Sequence, residues 1–157
     1  MKKLLAGIAV FCMALAHLSA AHADTSAIPI DPAKSGCIVV NIRNINKPEG
    51  MLGVALYSSK QGFPDKTNRA IATQVKKISG TSQDVRFDNI PYGAYAVSVL
   101  HDENGNGKMD KKAIFIPKEG FGVSNNPKIK RGPPSFSEAI FTLDRQRTEL
   151  TVNMIYL

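Results

Sequence analysis

From Cys37 onward the apolar residues recur mostly at every second position, the spacing of a strand with one face buried. In the first run Ile38, Val40 and Ile42 share a face, with Asn41 and Arg43 on the other. Leu52, Val54 and Leu56 repeat the pattern after the Lys47-Pro48-Glu49-Gly50 turn. A third, poorly alternating run spans residues 71–78 and is followed by Val85 and Phe87. Tyr95, Val97 and Val99 alternate with Ala94, Ala96 and Ser98, and Leu150, Val152, Met154 and Tyr156 close the chain. Residues 136–143 fit one short helix or a strand, because Ala139, Phe141 and Leu143 also keep period two. About six to eight short strands separated by Gly, Pro and Asn turns predict an all-β fold, an antiparallel β-sandwich.

The start of the chain follows a different pattern. Lys2 and Lys3 precede an apolar run from Leu4 to Leu18, and Ala21-His22-Ala23 stands before Asp24. A charged head, a short apolar stretch and a small-residue site make a secretory signal peptide, residues 1–23, cleaved after Ala23. The apolar run is shorter than the ~20 residues a spanning helix needs. Bulky Phe11 before Cys12 opposes a lipid anchor. The expected location is periplasmic or secreted, with no transmembrane segment after cleavage. Residues 24–35, with Pro29 and Pro32 among small polar residues, suit an N-terminal tether, and residues 36–157 form one domain.

Cleavage changes the chemistry available. Cys12, His17 and His22 leave with the leader, so Cys37 and His101 are the Cys and His that remain, and the formal charge falls from +7 to +5 as Lys2 and Lys3 go. An intramolecular disulfide and a zinc site of several His and Cys ligands are thereby excluded. Cys37, heading Cys-Ile-Val-Val, reads as a buried small hydrophobe. The pI of about 9.5 invites a nucleic-acid reading, but the positive charges are scattered and the chain is expected to be exported. Lys128, Lys130 and Arg131 make the one dense cluster, which reads as a solvated loop or as a patch for anionic envelope components.

The strongest local motif is residues 101–110. Asp102, Asn104, Asn106 and Asp110 occupy the first, third, fifth and ninth positions of a calcium loop, with Gly107 at the sixth and Lys108 at the seventh, where a backbone carbonyl serves. Hard cations need several oxygens at once, and alternate oxygen-bearing residues around a sharp glycine turn supply them. The twelfth position, where a bidentate Glu belongs, is Ala113. Two Asn-Gly pairs also make a tight reversal without metal, and Lys108, Lys111 and Lys112 oppose a dication. Calcium is therefore a possible cofactor, and a plain turn is the competing reading.

An enzyme is the alternative to a binding module. His101 could pair with Ser98 or Ser124 and with Asp88, as in a cell-envelope hydrolase, but no Gly-x-Ser-x-Gly elbow presents a nucleophile. His101 shares parity with Val97 and Val99, as a residue at the mouth of the core would. Glu103, Asp110, Glu119 and Glu138 are the acidic loop residues from which paired carboxylates would come, and their spacing marks no acid and base. Phosphate-loop and dinucleotide signatures are absent.

Several segments together resemble a known family. Residues 87–97, Phe-Asp-Asn-Ile-Pro-Tyr-Gly-Ala-Tyr-Ala-Val, look like the Gly turn and aromatic-led strand of carboxypeptidase-regulatory and prealbumin-like sandwiches. With His101-Asp102-Glu103-Asn104-Gly105-Asn106-Gly107-Lys108-Met109-Asp110, then residues 117–126 and Gly132-Pro133-Pro134-Ser135-Phe136, the chain resembles the bacterial domain-of-unknown-function 2141 family over most of its length. The resemblance implies an exported β domain and brings no catalytic residues; the number of strands and their turns make the expected sandwich one of immunoglobulin or transthyretin-like type. The expected role is a non-catalytic binding or accessory module, with envelope glycan, lipid or protein as partner and no nucleic acid. Ligand contacts are expected on the loop pair 102–112 and 117–135, with Phe121, Asn125, Asn126 and Phe136 as the ligand loop.

Overall fold

The computed structural model describes residues 31–112, 116–129 and 132–157, with side chains from residue 34 onward. The expected signal peptide (1–23), the first part of the expected tether (24–30), Ala113, Lys130 and Arg131 lie outside the described residues. Seven strands follow in order: β1 (Asp31–Arg43), β2 (Met51–Tyr57), β3 (Ala72–Lys77), β4 (Gln83–Asp102), β5 (Gly120–Val123), β6 (Phe141–Leu143) and β7 (Arg147–Asn153). A short helix, α1 (Phe136–Ala139), precedes β6, so the 136–143 segment contains both of its expected forms in succession.

The fold is all-β and turns on β4, a strand of 20 residues that serves both layers. Its first half, residues 83–92, pairs antiparallel with β1, and its second half, residues 96–102, pairs with β2. Between them Gly93, Ala94 and Tyr95 pair with β6. The chain changes course at Asn89, which holds a left-handed φ of 56°, and the Tyr95 hydroxyl donates to the Pro91 carbonyl at 2.7 Å. That bond supplies a partner inside the bend, where a buried phenol without one would be costly.

The alternating positions meet between the layers. Ile38, Val40, Ile42 and Val152 from β1 and β7 pack with Leu52, Val54, Leu56, Val97 and Val99 from β2 and β4 in one buried cluster. Each such side chain contributes about 1.5–3 kcal/mol by leaving water. Cys37 is buried and free.

One detail departs from the expectation. β1 and β7 pair in parallel, from Cys37 opposite Arg147 to Arg43 opposite Asn153, so the sheet is mixed and not purely antiparallel. Period two identifies a strand's buried face but is blind to the direction of its neighbour. β1 itself begins at Asp31, with Asp31 opposite Tyr92 and Ser35 opposite Pro91 of β4 and an irregularity between the two pairs.

Candidate functional site

The 102–110 loop leaves the end of β4 and closes on its own side chains. Asp102, 5% exposed, accepts through Oδ1 from the N–H groups of Gly105 (2.7 Å) and Asn106 (3.1 Å), and through Oδ2 from that of Gly107 (2.7 Å). Gly105 and Gly107 both sit at φ 75°, where side-chain-bearing residues are disfavoured. The side-chain amides of Asn104 and Asn106 donate to the two oxygens of Asp110, at 2.7 and 3.1 Å. The carbonyl oxygens of the same amides accept from the N–H groups of Asn106 (3.0 Å) and Lys108 (2.8 Å). Asp102, Asn104, Asn106 and Asp110 are thus brought together, and the hydrogen bonds of a tight reversal hold them. Among the described residues, no group of three or more His, Cys, Asp and Glu side chains is placed to hold a metal.

Glu119 ties the loop to the sheet, a role its sequence context does not signal. Its carboxylate, on a residue 3% exposed, accepts the N–H of Glu103 at 3.1 Å and that of Asp110 at 2.9 Å. One side chain so clasps both ends of the loop. A recess of about 200 Å³ lies against it, lined by Glu103, Asn104, Asp110, Lys118 and Glu119. Glu103 also pairs with Lys47 at 3.0 Å on the exposed side.

Of the residues named for a hydrolase, Glu103, Asp110 and Glu119 meet at that recess, whereas His101, Ser98, Ser124, Asp88 and Glu138 are engaged separately. His101 is fully buried, with Nε2 2.9 Å from the Glu49 carbonyl and Nδ1 2.8 Å from the Tyr156 hydroxyl. A carbonyl only accepts, so Nε2 carries the proton and Nδ1 accepts from Tyr156, whose oxygen in turn accepts the Asn46 N–H at 3.2 Å. Ser98 donates to the Pro64 carbonyl at 2.8 Å. Ser124 accepts the Val97 N–H at 2.9 Å and donates to the Ala139 carbonyl. Asp88 pairs with Arg86 at 2.6 Å. The Glu138 carboxylate caps α1, accepting from the Ser135 N–H and hydroxyl. None of these bonds joins His101 to a serine or to Asp88.

The expected ligand loop divides in the same way. Asn125 and Asn126 have positive φ, 63° and 47°, which Asn tolerates better than other side-chain-bearing residues. Their amides complete backbone bonding: Asn125 donates to the Ile140 carbonyl (2.7 Å), and Asn126 both donates to the Thr151 carbonyl (2.8 Å) and accepts the Asn153 N–H (2.7 Å). Phe136 meets Phe63 edge-on at 5.7 Å, and Phe63 meets Tyr57 at 5.3 Å. With Ala96, Val123 and Ala139 these aromatics cover one end of the outer face of the β2–β4 layer.

Among the described residues, the rest of that outer face is uncovered. Strand register sets Val75, Gly53, Leu100 and Phe121 side by side across β3, β2, β4 and β5, with Thr73, Ala55, Ser98 and Val123 in the next row. Side chains on one face of paired strands meet across the sheet. Gly53, Ala55 and Ser98 are small where Val75, Leu100 and Phe121 stand higher, so the face is hollowed over β2. It forms a groove of about 1000 Å³, walled further by Met109, Ile116 and Leu157. Val75 is 66% exposed, Ile116 49% and Leu157 57%. Phe121 is the member of the expected ligand loop that lines it. Sequence reasoning missed the groove because its floor is made of the residues between the core positions, where Gly53, Ala55 and Ser98 give no hydrophobic signal.

Fold and surface together define an all-β, sandwich-like domain with an apolar trough on one outer face and a self-closed turn at its rim. The chain belongs to a particular family of such domains: the family described as "Uncharacterized protein conserved in bacteria (DUF2141)" matches residues 40–151. Comparison with curated proteins gave no match. Among solved structures, a fimbrial assembly protein from Parabacteroides distasonis is similar at 12% identity with a TM-score of 0.36, over 79% of this chain and 53% of that one. This chain accordingly spans about half the length of that structure. Among the described residues no helix is long and apolar enough to cross a membrane.

Proposed function

We propose that this protein is an exported, non-catalytic binding module whose ligand site is the groove on the outer face of β3, β2, β4 and β5. The observation that carries the reading is the groove itself. Its volume of about 1000 Å³ lies at the upper end of the usual range for small-molecule sites, and its floor and walls are mostly apolar. A continuous apolar hollow of this kind in a folded domain marks an interaction surface more often than an accident of packing. Export is supported by the leader pattern of residues 1–23. The separate engagement of His101, Ser98, Ser124 and Asp88 favours binding over hydrolysis.

The test is direct. An ideal Cβ at Gly53 meets nothing nearer than Leu100 Cβ at 3.9 Å, so the backbone there accepts a side chain, and Gly53→Phe places a ring on the floor of the trough. The neutral fluorophore N-phenyl-1-naphthylamine should bind the wild-type protein with a rise in emission, and Gly53→Phe should abolish that rise at unchanged thermal stability. An equal signal from both proteins would move the site elsewhere.

A second reading concerns the rim. The drawing together of Asp102, Asn104, Asn106 and Asp110 supports calcium as a ligand of the loop, with the Lys108 carbonyl as a further oxygen. The cation would replace the amide–carboxylate bonds to Asp110, and the rest of the turn would stay as it is.

A further inference from the structure

We infer that the 102–110 turn is a guarded deamidation site: Asn104 and Asn106 carry amides open to attack by the backbone nitrogens of Gly105 and Gly107, and the Asp102 carboxylate holds both nitrogens back. Neither the groove nor calcium enters this chemistry.

The reaction needs water and hydroxide alone. A backbone nitrogen that has lost its proton to hydroxide forms a bond to Cγ of the preceding Asn. The Cγ–Nδ2 bond breaks, and the amide nitrogen leaves as ammonia after taking a proton from water, which regenerates the hydroxide. Water then opens the cyclic imide at one carbonyl or the other, leaving aspartate or isoaspartate. The net change is one water consumed and one ammonia released, with no oxidation or reduction. Glycine after the Asn favours the first step, because it has no side chain to obstruct the approach and its backbone reaches conformations closed to other residues. Residues 104–108 are exposed, so water and hydroxide reach both Asn-Gly pairs.

The hydrogen bonds of the turn oppose the attack. The N–H groups of Gly105 and Gly107 each donate to Asp102 at 2.7 Å, one to Oδ1 and one to Oδ2. Hydrogen bonds to a carboxylate are among the stronger ones, and stripping the proton would set a negative nitrogen against a negative oxygen. Asp102 is 5% exposed, so salt does little to screen that repulsion. The side-chain amides are bound as well: their nitrogens donate to Asp110, and their oxygens accept from the N–H groups of Asn106 and Lys108. Donors on the amide oxygens, however, would stabilise the negative charge that develops there during attack. Protection therefore lies with Asp102 and not with the bonds of the amides themselves. Conversion would place a new carboxylate against Asp110, where an amide now donates, and the like charges would force the turn open.

Site-resolved mass spectrometry of protein incubated in mildly alkaline buffer with a chelator tests the guard. Asn104 and Asn106 of the folded wild-type protein should convert at least about tenfold more slowly than in the same chain unfolded in guanidinium chloride, since breaking a hydrogen bond to a charged group raises the barrier by about that factor. Asp102→Ala frees both nitrogens and should bring both sites toward the unfolded rate. Asp102→Asn separates protection from mere folding. Its amide offers one acceptor oxygen, which keeps the N–H groups now on Oδ1, those of Gly105 and Asn106, and leaves the Gly107 N–H facing another donor. Conversion should therefore accelerate at Asn106, whose attacker is Gly107, and much less at Asn104. Asp110→Ala, which loosens the side-chain amides and leaves Asp102 in place, should accelerate both sites less than Asp102→Ala does. Conversion in the folded wild-type protein as fast as in the unfolded chain would overturn the guard. So would equal acceleration at both sites in Asp102→Asn, or rates in Asp110→Ala that match those of Asp102→Ala, since loosening of the turn would then account for the whole effect.

Discussion

Replacing Glu119 by Ala removes the clasp between β4 and the start of β5. The carboxylate accepts two backbone N–H groups, those of Glu103 at 3.1 Å and Asp110 at 2.9 Å, on a residue 3% exposed. Hydrogen bonds to a charged group contribute about 1.5–3 kcal/mol each, giving a gross loss of roughly 3–6 kcal/mol. Two effects reduce it. The adjoining recess of about 200 Å³ admits water to the orphaned donors, and Ala releases the rotamer entropy that ordering the Glu side chain consumes, on the order of 1.5–2 kcal/mol. A net destabilisation of about 2–3 kcal/mol is expected, seen in urea as a lower midpoint at constant slope. Hydrogen exchange at the Glu103 and Asp110 amides should accelerate beyond what the global loss explains, because those two donors lose their acceptor directly. Glu119→Gln keeps one acceptor oxygen and turns an amide toward the other N–H, so it should fall between wild type and Ala. A Glu119→Ala protein within about 0.5 kcal/mol of wild type, with the Glu103 and Asp110 amides exchanging as before, would refute the clasp.

Three further outcomes are expected. Calcium at 10 mM, ten times a dissociation constant of about 1 mM, should stabilise the folded protein by about 1.4 kcal/mol, and Asp102→Ala should abolish the rise in Tm; an unchanged Tm at matched ionic strength would leave the loop a plain reversal. Burial pushes the hydroxyls of Tyr57, Tyr95 and Tyr156 above the ordinary phenol value of 10.0, so the folded state holds these protons more tightly than the unfolded one. Their contribution to stability is therefore complete below about pH 10 and declines as the pH rises toward the folded-state values, which a series of denaturation curves in alkali would show as a falling midpoint. Intact-mass measurement of protein recovered outside the cytoplasm should give a chain beginning at Asp24, and a species retaining Met1 would contradict cleavage after Ala23.

The sequence by itself determined which side of each strand is buried. Ile38, Val40, Ile42, Leu52, Val54, Leu56, Val97 and Val99 lie in the core because alternate side chains of a strand point to opposite faces. It also displayed the Asn-Gly reversal at 104–107 and the ordered segments that place the chain in its family, since both depend on residues close together in the chain. Other properties arose only when distant strands met. The parallel pairing of β1 with β7 is a matter of topology, and a period-two pattern reads the same in either direction. Asn125 and Asn126 look like ligand contacts in isolation, yet their amides meet the free backbone groups of residues 140, 151 and 153, which the chain brings back from more than a dozen positions away. Glu119 is one acid among several until the fold sets it against the Glu103 and Asp110 N–H groups. The groove is the furthest from the sequence: Val75, Gly53, Leu100 and Phe121 come from four strands and have no common spacing, and only the register of β3, β2, β4 and β5 puts them in one row.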